Sequence, residues 1–278
     1  MANKHGDFIW YELMTGDADG AREFYSAVVG WDIEGKSDAP MDYRMISTSK
    51  GPIAGLMPLT AEMQSGGARP CWMGYILVDD VDAGAKAATD AGGSIHMEPW
   101  DLPGFGRMAF VADPQGVMFY IMKPTPPVNQ PDAESTSFAA LTPMVGHCAW
   151  NELSTTDPEA AKAFYGKLFG WVKEGEMDMG PMGKYEFLKD AEGRFGLGAV
   201  MPKMPEMPVP FWTYYFRVPD IDSAVATIAE KGGSIIQEPI EIPGGGFSMV
   251  GVDPQGAVFG LVGARNSGLH LLEQGRWK

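Results

Sequence analysis

The chain has 278 residues, 45% of them apolar, with 21 Lys and Arg against 36 Asp and Glu, a net charge of −15. That composition can bury a core and excludes a wholly disordered chain. The acidic balance argues against nucleic-acid and membrane partners, because a chain of the same sign as a phosphate surface gains nothing from counterion release.

No apolar run reaches the roughly 18 residues of a membrane span. The N-terminus, Met1 to Asp7, leads into a strand-like run without a signal-peptide apolar stretch, so a cytoplasmic protein is expected. Phe8 to Met14 is aromatic and apolar, a strand. Asp17 is placed to cap a helix whose buried stripe is Ala21, Phe24, Tyr25 and Val28, with Gly30 at its end. Short strands follow around Tyr43–Thr48 and Ile53–Pro58. Asp80 opens a second helix that stops at Gly92-Gly93. Met108–Val111 and Val117–Met122 are strands joined by the turn Asp113-Pro114-Gln115-Gly116. Lys123 to Gly146 holds Pro124, Pro126, Pro127, Pro131 and Pro143 among polar residues and reads as an extended linker. The same elements then recur, Asp157 capping and Pro158 in the first helical position.

The recurrence is a repeat at a constant offset of 140. It carries Trp10-Tyr11-Glu12-Leu13 onto Trp150-Asn151-Glu152-Leu153, Phe24-Tyr25 onto Phe164-Tyr165, and Gly30-Trp31 onto Gly170-Trp171. Asp113-Pro114-Gln115-Gly116 falls on Asp253-Pro254-Gln255-Gly256, while Met57-Pro58 meets Met201-Pro202 at 144, a compensated slip. A fainter repeat at 63 links Asp17 to Asp80, Gly30 to Gly93, and Asp157 to Asp220. Two domains are therefore expected, 5–124 and 145–265, with a linker at 125–144 and a tail at 266–278.

A βαβββ unit repeated four times, with D-x-x-x-A-x-x-F-Y-x-x-x-x-G-W after its first strand and D-P-Q-G before its last, resembles the vicinal oxygen chelate superfamily. That group includes glyoxalase I, bleomycin-resistance proteins, fosfomycin-resistance enzymes and extradiol dioxygenases. The resemblance implies an α+β fold: four βαβββ modules forming two glyoxalase-like domains, each with a curled mixed sheet around a cup. Modules pair within a domain or across domains, and both arrangements stay open. Metal-using members carry ligands at strand positions that fall here on Trp10, Met73, Gly55 and Tyr120, and in the second copy on Trp150, Thr213, Ala199 and Gly260. None offers the imidazole nitrogen or carboxylate oxygen such a site needs. No metal and no other cofactor is expected.

Glu12 and Glu152 lie two residues past Trp10 and Trp150, on the same strand face. Apolar walls would raise their pKa and suit them to acid or base work; a buried structural carboxylate is the other reading. Trp10, Met73, Tyr75 and Tyr120, with Trp150 and Tyr215 in the second copy, are expected to wall the cups. Arg107 is a candidate anion contact or a surface residue. His5, His96, His147 and His270 read as solvated or core histidines, and Cys71 and Cys148 as reduced buried thiols. The expected protein binds a small apolar or aromatic molecule without metal, as a monomer with an internal pseudo-dimer or as a homodimer. A lyase, isomerase or hydroxylase-like enzyme using Glu12, Glu152 or an atypical metal site is the alternative, and a scaffold whose cups are filled by side chains is a third class.

Overall fold

The structure is a computed structural model that describes residues 3–265, so the expected tail lies outside the described residues. The first module comprises β1 (Phe8–Thr15), α1 (Ala18–Val28), β2 (Asp32–Ile33), β3 (Arg44–Thr48) and β4 (Gly51–Pro58). A short helix α2 (Ala61–Ser65) leads to the second: β5 (Cys71–Leu77), α3 (Val81–Asp90), β6 (Ser94–Leu102), β7 (Gly106–Ala112) and β8 (Met118–Pro124). The third holds β9 (Cys148–Thr155), α4 (Pro158–Phe169), β10 (Val172–Asp178), β11 (Lys184–Lys189) and β12 (Gly196–Pro202). The fourth holds β13 (Phe211–Asp220), α5 (Ile221–Glu230), β14 (Ser234–Glu241), β15 (Phe247–Val252) and β16 (Val258–Ala264). The strands form two open eight-stranded mixed sheets, β2-β3-β4-β1-β5-β8-β7-β6 and β10-β11-β12-β9-β13-β16-β15-β14. The α+β class and the four βαβββ modules stand as read. No helix among the described residues is long and apolar enough to cross a membrane.

The module helices start where a carboxylate meets the orphan amides of a first turn. Asp17 accepts from the Gly20 amide, Asp80 from Ala83 and Asp157 from Ala160, each at 3.0 Å. α2 was not expected; Thr60 caps it through the Met63 amide. The linker departs from an extended solvated segment. Ser137 and Phe138 are buried, and the Phe138 ring lies 6.3 Å from Phe8 and 6.0 Å from Phe195. Burying so large an apolar ring offsets the cost of ordering this segment.

The chain packs as two compact units. Unit I takes the described residues up to Tyr11, with Met73–Leu141 and Trp150–Thr213; unit II takes Glu12–Trp72, Thr142–Ala149 and the described residues from Tyr214 on. Each compact unit thus joins modules from both sequence copies, the second with the third and the first with the fourth. In unit II, α1 packs on α5, and the Tyr25 hydroxyl donates to Asp253 Oδ2 at 2.9 Å while accepting from Trp72 Nε1 at 3.0 Å. Asp253 Oδ1 takes the amides of Gln255, Gly256 and Ala257. Unit I repeats the device: α3 packs on α4, Tyr165 donates to Asp113 at 3.0 Å and accepts from Trp212 at 3.2 Å. One carboxylate therefore closes its own turn with one oxygen and anchors a helix of the other sequence copy with the second. Burial pushes both aspartates above the usual carboxylate pKa, and burial beside Asp253 holds the Tyr25 hydroxyl protonated.

The Gly-Trp pair has a similar logic. Trp31 Nε1 donates to the Gly146 carbonyl at 2.8 Å in unit II, and Trp171 Nε1 to the Gly6 carbonyl at 2.9 Å in unit I. Gly6 and Gly146 sit at φ +89° and +82°, and a Cβ at Gly146 would stand 2.8 Å from Thr48, so glycine alone fits without strain.

Candidate ligand-binding faces

Strand alternation gives each sheet a helix-bearing face and a helix-free face. In unit II, Phe216 meets Trp31 edge-on at 4.9 Å on the helix side, which sends Tyr215 and Arg217 to the other. In unit I, Ile121 lies under α3 at Gly84, so Tyr120 faces away from the helices.

On the helix-free face of β5, β8 and β7, Tyr75 stacks on Tyr120 at 4.3 Å and Tyr120 on Phe110 at 4.5 Å. Trp100 meets Tyr120 edge-on at 6.4 Å. Met73 precedes Tyr75 by two positions on the same face, and Met73, Tyr75 and Tyr120 are all buried. Arg107 does not join this wall. It sits within β7, one register step from Met108, with its guanidinium turned to Asp82 of α3 at 2.7 and 2.9 Å and to Asp101 at 3.2 Å. Those carboxylates hold it on the helix side, away from the aromatic wall.

In the third module, Trp150 and Glu152 share one face of β9 and meet Tyr185 of β11. The Trp150 indole donates to the Tyr185 hydroxyl at 2.7 Å, which donates to Glu152 Oε2 at 2.8 Å. Burial and the neighbouring Glu152 push the Tyr185 pKa well above its usual value, so the tyrosine keeps its proton. Glu152 itself is half-buried. The sequence reading missed Tyr185. Its counterpart is Tyr43, at an offset of 142 inside the slipped region, where the constant offset no longer finds it.

In the first module Trp10 is half-buried and Glu12 fully buried on β1. Cys71 is half-buried rather than enclosed, since it opens β5; burial, then the Glu12 charge, push its thiol pKa up to about 12. Cys148 is buried, as is His147, whose Nε2 lies 3.1 Å from Thr48. His5 bonds Leu168 and the Asp79 amide, and His96 lies against Ser94. His270 lies outside the described residues.

The residues present do not fit the superfamily's divalent ion. A Cβ on Gly55 would lie 1.9 Å from the Tyr43 hydroxyl, and one on Gly260 would lie 2.4 Å from the Tyr215 ring, so tyrosines fill the space of those two ligand positions. Trp10, Met73, Tyr120, Trp150, Ala199 and Thr213 lack the donors. Among the described residues no group of three or more His, Cys, Asp and Glu is placed to hold a metal.

The sequence profile of the Glyoxalase/Bleomycin resistance protein/Dioxygenase superfamily matches residues 8–121 and 144–261. CFP32 of Mycobacterium tuberculosis, whose name carries a provisional glyoxylase assignment, is 33% identical over 258 residues, covering 91% of this chain and 93% of that protein. The anthracycline biosynthesis protein DnrV of Streptomyces peucetius is 28% identical over 269 residues, covering 92% of each. The Mn(II)-bound glyoxalase of Novosphingobium aromaticivorans shares the fold at TM-score 0.62 and 17% identity, over 94% of this chain and 82% of that one. By profile, by sequence relatives and by fold, this chain belongs to the glyoxalase/bleomycin resistance protein/dioxygenase superfamily.

Proposed function

We propose that the chain is a metal-independent small-molecule-binding member of its superfamily, acting in the cytoplasm and holding a small, largely apolar or aromatic ligand on its helix-free faces. The observation that carries this reading is the Trp150–Tyr185–Glu152 chain. Where metal-using relatives place a ligand, an indole is tied to a tyrosine and a carboxylate by bonds of 2.7 and 2.8 Å. Ligand sites are mostly apolar with a few fixed polar groups, and this set has that composition. The relative named for anthracycline biosynthesis belongs to small-molecule chemistry. Elemental analysis after dialysis against weak chelator is expected to find less than about a tenth of an equivalent of Zn, Mn, Ni or Fe per chain. A metal bound stoichiometrically and lost on Trp150→Ala would overturn the reading. A ligand screen followed by tryptophan fluorescence supplies the positive test.

Glu152 also favours a second reading, an enzyme. A half-exposed carboxylate accepting from a protonated tyrosine can exchange a proton with a bound molecule. Turnover of any ligand found in the screen, abolished in Glu152→Gln with binding retained, would establish it.

A further inference from the structure

The helix-free walls of the second and fourth modules are built on the same register but carry different chemistry. In the second, Tyr120 and Phe110 fill the wall with stacked rings. In the fourth, their positions hold Gly260 and Val250, paired across β16 and β15 as Tyr120 and Phe110 are across β8 and β7. Trp100 gives way to Ile240, and Met108 to Ser248, the same strand partners in both copies. The fourth module's wall has lost three aromatic rings, and Val250 and Ser248 on it are half-exposed.

The same wall has gained a cation. Where the second module has Leu77, the fourth has Arg217, two residues past Tyr215 and level with Val262. Each of the other six described arginines gives its guanidinium to a carboxylate or a carbonyl. Arg217 gives its side chain to neither among the described residues, and its Nε is buried without an acceptor. Only its backbone is engaged, with Gly146 and His147. Burial pulls its pKa below the usual arginine value, with no charge opposing. Although the chain has 36 acidic residues, no carboxylate among the described residues meets this guanidinium, and an anionic ligand would supply one.

We propose that the helix-free wall of β13, β16 and β15 binds an aromatic carboxylate, with Arg217 as its counter-ion, Ser248 as a second polar contact and half-exposed Val250 as the apolar surface against which the aromatic body lies. The planar guanidinium matches a carboxylate through two parallel hydrogen bonds. The proposal rests on the small-molecule-binding reading and narrows it to one wall and one ligand charge.

The test uses the full chain with 2-naphthoate and its neutral isostere 2-naphthamide, titrated by calorimetry into wild type, Arg217→Leu and Arg217→Gln. Leucine is the residue the second module carries at this position, so Arg217→Leu should fold, and its melting midpoint should equal or exceed that of wild type. Naphthoate is expected to bind wild type more tightly than naphthamide and to lose at least roughly tenfold in affinity in both variants, with naphthamide unchanged. Equal affinity of naphthoate for wild type and Arg217→Leu would overturn the proposal. Equal binding of amide and acid would overturn it while leaving the small-molecule reading in place. Absence of binding by either probe would also overturn it, and the fluorescence screen then judges the broader reading on its own.

Discussion

Replacing Tyr25 by Phe removes one oxygen from a site with no slack. The lost hydroxyl donates to Asp253, a residue 3% exposed, and accepts from Trp72, 5% exposed. A hydrogen bond to a charged group contributes about 1.5–3 kcal/mol, and the Trp72 N–H left unpaired adds to the loss, so Tyr25→Phe should cost about 2–4 kcal/mol at pH 7. In urea, that is a fall of about 1 M in the unfolding midpoint at an m-value near 3 kcal/mol/M. The pH dependence has a definite sign. Burial raises Asp253 above the usual aspartate pKa of 3.8, and the Tyr25 bond works against that rise. A raised carboxylate contributes most below its unfolded pKa and loses that contribution as pH climbs through its folded value. Tyr25 relieves the penalty on the ionised form, so the cost of Tyr25→Phe should be largest near neutral pH and shrink as pH falls toward 4. Urea melts by tryptophan fluorescence at pH 7 and 4.5 measure both quantities. A loss below about 0.5 kcal/mol at pH 7, or a larger loss at pH 4.5 than at pH 7, would refute the assigned role.

Four further outcomes follow from burial and geometry. Glu12→Gln, at a buried site, should cost about 1–3 kcal/mol, whereas Glu152→Gln, half-buried and still able to accept from Tyr185, should cost less than about 1; paired chemical melts compare them. Gly260→Ala should destabilise by about 1–3 kcal/mol, because its Cβ meets the Tyr215 ring at 2.4 Å, and the cost should largely vanish in a Tyr215→Leu background. Cys71 should react with 5,5′-dithiobis(2-nitrobenzoate) at pH 8 at least about 100-fold more slowly than free glutathione, its thiol pKa being about 12. Glu186 is buried between Lys162 and Lys173, each at 2.7 Å, and these hold its pKa below the usual glutamate value against burial. Its contribution is present above the unfolded glutamate pKa of about 4.3 and disappears as pH falls through the folded value, so Glu186→Gln should lose about 1–3 kcal/mol at pH 7 and converge with wild type below pH 4.

The elements were legible because the residues that mark them have few substitutes. An aspartate caps, a glycine leaves the helix at positive φ, and the Phe-Tyr pair repeats wherever a tyrosine hydroxyl must reach a D-P-Q-G carboxylate. How the modules pair was not legible, since Tyr25 and Asp253 lie 228 positions apart and nothing local to either names the other. Tyr43 and Tyr185 were hidden by the insertion that breaks the constant offset. Arg107 was open between an anion contact and a surface position; alternation along β7 sets it opposite Met108 and Phe110, and its guanidinium meets Asp82 of α3. Arg217 was not legible because its missing partner shows only once the strands are packed, and the residue has no counterpart in the other copy, where Leu77 stands. Phe138 lay in a segment whose prolines read as solvent-facing.

The duplication serves as an internal control on which positions answer to folding. Tyr25 and Tyr165, Asp113 and Asp253, Trp31 and Trp171, and Gly6 and Gly146 are identical in the two copies, and each makes the same contact in its own unit. Three positions that differ in kind, Tyr120 against Gly260, Phe110 against Val250 and Leu77 against Arg217, share the helix-free wall. Packing alone does not account for that divergence. A wall kept only as filler would change by volume-conserving exchanges, since these cost least; going from two aromatic rings to a glycine and a valine conserves neither volume nor contact. A half-buried guanidinium with no carboxylate partner among the described residues does not add to stability either. The Tyr215 ring takes up the space over Gly260, while an incoming aromatic anion would supply the charge that Arg217 lacks among the described residues and pack on half-exposed Val250. Leu77→Arg in the second module separates these effects. There the wall already holds Tyr75, Tyr120 and Phe110, so the added cation should lower the melting midpoint and bring no second equivalent of 2-naphthoate. A second equivalent bound by Leu77→Arg would mean that the charge alone makes the site and that the loss of the rings plays no part in it.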